Sequence, residues 1–64
     1  MKLNKPDWIN QTKTLFIERA KLDEATARQI AESNYEAFES DIVDGLYDPI
    51  DAFDDEMDAA AQSV

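Results

Sequence analysis

Residues 29–64 hold eleven carboxylates and not one basic side chain, whereas all six Lys and Arg lie in residues 1–28. A carboxylate without a partner is not buried, because stripping its water costs more than packing returns. Like charges one helical turn apart also repel. Whatever the second half of this chain forms must keep every acid outside and cohere through a separate apolar face. Two states meet that condition, a solvated disordered tail and a set of amphipathic helices. Disorder goes with high net charge and low hydrophobicity. Here 44% of the residues are apolar and six are aromatic, and they recur with a helical period. Helices are therefore expected.

Caps and periods divide the chain into three. Trp8, Ile9, Thr12, Leu15, Phe16, Arg19 and Leu22 follow helical spacing behind Pro6, which suits an opening turn. Asp23 is a good N-cap with Glu24 in the first turn, and Leu22 and Ala27 have the spacing of a hydrophobic staple. The second stripe runs Ala27, Ile30, Ala31, Asn34, Tyr35, Phe38, Ile42 and Leu46, and Gly45, the single glycine, marks its end. Asp48-Pro49 reads as N-cap and first helical residue, with Asp51 at the third, and Ile50, Phe53, Met57, Ala60 and Val64 continue one apolar face. The expectation is one all-α domain over 1–64, with helices at about 6–21, 24–44 and 49–61 in a three-helix bundle. Gln62 to Val64 are expected to fray.

Three stripes can close around Leu15, Phe16, Ile30, Phe38, Ile42, Phe53 and Met57. Trp8, Ile9, Ile17, Tyr35 and Ile50 then compete for a small interior, which favours a homodimer through the first two helices. Trp8 is assigned to the core rather than to an interface. Asn34 is assigned to a boundary position near solvent rather than to a buried seam.

Much chemistry is excluded. With no Cys and no His there is no disulfide, thiolate metal site or imidazole catalysis. No cofactor or metal is expected. An EF-hand register with Gly45 at the sixth loop position puts Ile42 at the third and Asp51 at the twelfth, so a ligand and the bidentate Glu are both missing. Ser33, Ser40 and Ser63 have no histidine to activate them, and one glycine makes no phosphate loop. Three short helices offer little cleft for paired carboxylates to act in, so no enzymatic activity is expected. No apolar run reaches the ~20 residues of a membrane span, and no apolar stretch follows Lys2 and Lys5 as a secretory signal requires. The expected compartment is the cytoplasm.

The function then rests on charge. Six bases against four acids give residues 1–28 a net of +2, and residues 29–64 carry −11, together the −9 of the chain. Such asymmetry points to an interaction, and it disfavours nucleic acid or anionic lipid as the direct partner. Glu32, Glu36 and Glu39 share one predicted helix face, and Asp51, Asp54, Asp55 and Asp58 share another. An i,i+4 step rises about 6 Å, against one phosphate per about 3.4 Å on each strand of duplex DNA. Two such rows on helices ~8–10 Å apart form a coarse imitation of a phosphate backbone. The alternative is a small structural or assembly protein whose apolar stripe joins a partner helix, with the acids serving solubility.

In size, acidity and the tail "GLYDPIDAFDDEMDAA", the chain resembles the small helical proteins of bacteriophage early regions. That group includes antirestriction DNA mimics and anti-CRISPR inhibitors, which occupy the nucleic-acid groove of a host enzyme. The resemblance implies a basic, nucleic-acid-binding host protein as partner and the host cytoplasm as location.

Overall fold

The computed structural model describes residues 4–62, and over them the chain is an all-α bundle of four helices. These are α1 (Lys5–Arg19), α2 (Glu24–Ala37), α3 (Glu39–Val43) and α4 (Pro49–Gln62). Ser63 and Val64 lie outside the described residues.

Local chemistry sets most of the boundaries. Asn4, not singled out by the sequence reading, caps α1 by accepting from the Asp7 N–H at 3.0 Å. At the other end Lys21 takes a left-handed conformation at φ 60°, and the chain turns so that the Leu22 N–H reaches the Phe16 carbonyl. The helix thus ends at Arg19, two residues before the expected stop. Asp23 caps α2 as expected, accepting from the Thr26 N–H at 3.2 Å and the Thr26 hydroxyl at 2.7 Å. α3 closes in a Schellman motif. Gly45 sits at φ 77°, its N–H donates to Ile42, and the Leu46 N–H reaches back to Asp41. The Asp48 carbonyl accepts the first bond of α4, from Ala52, while the Asp51 carboxylate accepts from the Asp48 N–H, the return half of a capping box.

The expected helix over 24–44 is two helices. Phe38, at φ −120° and ψ 25°, leaves helical geometry and separates α2 from α3. Four residues earlier Asn34 Nδ2 donates to the Ile30 carbonyl at 3.0 Å, a bond of the kind that bends helices by competing with the backbone ladder. Asn34 is also 6% exposed, so its expected place near solvent is corrected to a buried one, satisfied within its own helix. After the break, Ile42 enters the core while Phe38 stays 39% exposed.

α1 is the central element, with its extensive packing made to α2 and to α4. Trp8, Tyr35, Ile42 and Ala52 form one buried cluster, and Phe16, Ala27 and Phe53 form a second. Ala27, Ala31 and Ala52 are fully buried, small side chains that let neighbouring backbones approach. Lys5 Nζ lies 5.5 Å from the centre of the Tyr35 ring, a cation–π contact that holds this base against α2. The interior has room for four of the five side chains expected to overfill it. Trp8 and Tyr35 are buried and Ile9 and Ile17 half-buried, leaving Ile50 exposed. Trp8 and Tyr35 are thus buried within a single chain.

The Asp23 cap carries a pH signature. Its bonds from the Thr26 hydroxyl and N–H hold the carboxyl below the ordinary 3.8, so the charged form is favoured in the fold. Such a contribution is present above the unfolded value and is lost as pH falls through the folded one. Asp23→Ala is expected to lower the thermal midpoint at neutral pH, with the gap from wild type closing as pH drops below 3.8. Melts across that range test it, and a gap that widens on acidification is the contrary result.

Candidate functional site

All seven acids expected to face a partner are exposed, but they do not form two matched rows. Glu32 and Glu36 lie on α2, whereas the break at Phe38 transfers Glu39 to the first turn of α3. Asp51, Asp54, Asp55 and Asp58 lie along α4. The seven acids are thus carried on three helices rather than two.

The positions differ in what surrounds them. Glu32 lines a groove between α1 and α2 with Pro6, Ile9, Asn10, Lys13 and Arg28, so bases border it. Arg28 itself pairs with Glu24 at 3.2 Å, both side chains well exposed, as the i,i+4 spacing anticipates. Glu36 lies further along α2, beyond Ser33. On α4, Asp51 closes the cap and Asp55 accepts from the Tyr47 hydroxyl at 2.7 Å.

Tyr47 is a residue the sequence reading passed over. Its ring stacks on Trp8 with centroids 6.3 Å apart and tilts against Phe38 at 4.6 Å, and its carbonyl accepts from Trp8 Nε1 at 3.1 Å. It thus pins the loop between α3 and α4 to α1. Burial pushes the phenol pKa well above its ordinary 10.0, helped by the Asp55 hydrogen bond and the charges of Asp55, Asp51 and Glu56. The available signal was an aromatic two positions after the only glycine, in a loop with no other anchor.

Between α1 and the start of α4 runs a groove of about 590 Å³ with Leu15, Pro49 and Ile50 among its apolar lining and Asp48 at its edge. The EF-hand register is closed to metal by packing, since Ile42 at its third position is 2% exposed. Among the described residues no group of three or more acids is arranged to hold a metal ion. No helix among the described residues is long and apolar enough to cross a membrane. What the arrangement can do chemically is attract cations to its exposed carboxylates.

No protein family, curated protein or solved structure matches the chain.

Proposed function

We propose that this protein is an acidic, protein-binding inhibitor or regulator that occupies a basic, nucleic-acid-binding surface of another protein. The observation that carries the reading is the exposure of Glu32, Glu36, Glu39, Asp51, Asp54, Asp55 and Asp58 in a segment that contains no base. Such a field steers a cationic surface to the protein and repels phosphates. The mechanism is competitive occupation, with no bond made or broken. Resemblance to phage-encoded DNA mimics agrees with this reading and points to a host enzyme as the target. The acids are spread over α2, α3 and α4, so the imitation of DNA lies in charge density rather than in two matched rows. The assembly-protein alternative assigns the acids to solubility alone, and it therefore predicts association that is insensitive to salt.

Pull-down from a bacterial lysate at low and high salt, followed by competition with duplex DNA, tests the reading. Capture is expected to fall steeply between about 0.05 and 0.2 M salt, as for phosphate contacts, and duplex DNA should displace the captured protein. The triple variant Glu32→Gln, Glu36→Gln, Asp54→Asn is expected to bind about tenfold more weakly or worse, ~1.4 kcal/mol. Capture that is insensitive to salt and to these substitutions would overturn the proposal.

A further inference from the structure

The large apolar side chains that remain exposed cluster in sequence: Phe38 is 39% exposed, Val43 52%, Leu46 73% and Ile50 43%. All four lie in the stretch that contains α3 and the loop into α4. Interleaved with them are Glu39, Asp41, Asp44 and Asp48, and Asp51 follows directly, every one exposed. Solitary exposed hydrophobes are ordinary, but four large ones within thirteen residues, in a segment that the Phe38–Tyr47 ring contact closes on itself and whose charged residues are all acids, have the composition of an interaction surface.

The stretch is held in shape. Ile42 anchors α3 from beneath, the Schellman motif fixes Gly45 and Leu46, and Tyr47 locks the loop through Trp8, Phe38 and Asp55. Leu46 is therefore presented on a braced turn, and little ordering remains to be done on binding.

We infer that this stretch is a docking surface for a cationic amphipathic helix of the partner, apolar on one face and rich in Lys and Arg around it. The inference rests on the reading that the partner is basic, and it adds the secondary structure that the partner presents. Charge complementarity selects this occupant. Five acids accompany the four apolar side chains, and no base lies anywhere from residue 29 onward. A second copy of the chain carries a net −9 and has only its residues 1–28, at +2, to offer these acids. A cationic helix instead places its apolar residues over Val43 and Leu46 and its ammonium and guanidinium groups beside the neighbouring acids.

The test uses two synthetic peptides of Leu and Lys with identical composition. One has leucines at helical spacing and the other has the same residues scrambled, and fluorescence anisotropy measures each against the full chain. The patterned peptide is expected to bind about tenfold more tightly than the scrambled one. Leu46→Ser with Val43→Ser should weaken the patterned peptide by about tenfold and leave the scrambled one unchanged. Both side chains are more than half exposed, so the variant is expected to melt like wild type.

Equal binding of the two peptides, or indifference to the Ser substitutions, would overturn the docking surface and leave the basic-partner reading standing. Failure of both peptides to bind at low salt would remove that reading as well. A self-associated form in sedimentation that the Ser substitutions dissociate would show that a second copy is the occupant, against the inference.

Discussion

Trp8→Ala is expected to leave the chain largely unfolded at room temperature. The indole is 1% exposed and belongs to a cluster with Tyr35, Ile42 and Ala52. It meets Tyr35 edge-on at 5.7 Å, stacks on Tyr47, and donates from Nε1 to the Tyr47 carbonyl. Truncating a buried Trp to Ala typically costs about 3–5 kcal/mol. At roughly 0.05–0.15 kcal/mol per residue, a chain of 64 residues has only about 3–10 kcal/mol in total. One truncation therefore removes from about a third to all of it. Trp8→Phe separates packing from the hydrogen bond, because it keeps a ring in the cluster but removes the donor. It is expected to lose about 1–2 kcal/mol and remain folded. Circular dichroism melts decide the matter. A midpoint for Trp8→Ala within about 5 °C of wild type, equivalent to ~1 kcal/mol in a domain of this size, contradicts the core placement.

The second large effect is expected at alkaline pH. Burial, the bond to Asp55 and the nearby charges of Asp55, Asp51 and Glu56 all favour the neutral Tyr47 phenol in the folded state. Its folded pKa lies above the unfolded 10.0, so the folded state retains a proton that the unfolded state releases. The associated stability is fully present below 10.0 and is lost progressively as pH rises above it. Wild type should accordingly lose stability steeply past that point. Tyr47→Phe should lose less, because it keeps the ring contacts and has no proton to release. At neutral pH the ordering reverses, since Tyr47→Phe lacks the Asp55 bond and is weaker by about 1 kcal/mol or less for a solvent-exposed pair. Tyr47→Ala also loses both ring contacts and should be the least stable of the three at neutral pH. Parallel alkaline and neutral melts must show the two stability curves crossing, and parallel curves would exclude this role for the phenol.

Elements governed by neighbouring residues were legible in the sequence. Asp23, Gly45 and the Asp48-Pro49 pair each mark a boundary through contacts within a few positions, and each acts where the sequence placed it. The break at Phe38 was not legible. It has neither glycine nor proline and falls inside an unbroken apolar period, so only the fate of the surrounding side chains distinguishes it from a helix interior. The same limit applied to the candidate site. That the acids face water follows from charge alone, and all seven do. That Glu39 leaves the α2 row depends on the break. That Tyr47 matters depends on Trp8, 39 positions away along the chain. The exposure of Leu46 likewise reflects where the chain turns after Gly45, which the periodicity of its stripe does not record.

The pairing of the chain's one tryptophan with Tyr47 makes the protein its own optical gauge. Every photon of indole emission comes from the junction of α1 with the α3–α4 loop, where the ring is shielded and its N–H engaged. Release of that loop would bring water to the indole and shift its emission to the red, even if the helices stayed wound. Ionised Tyr47 would introduce a quencher in ring contact. Fluorescence and circular dichroism on one sample therefore report separate events, the docking of the loop and the winding of the backbone. An interval between the two curves would give the free energy of the local opening without any label.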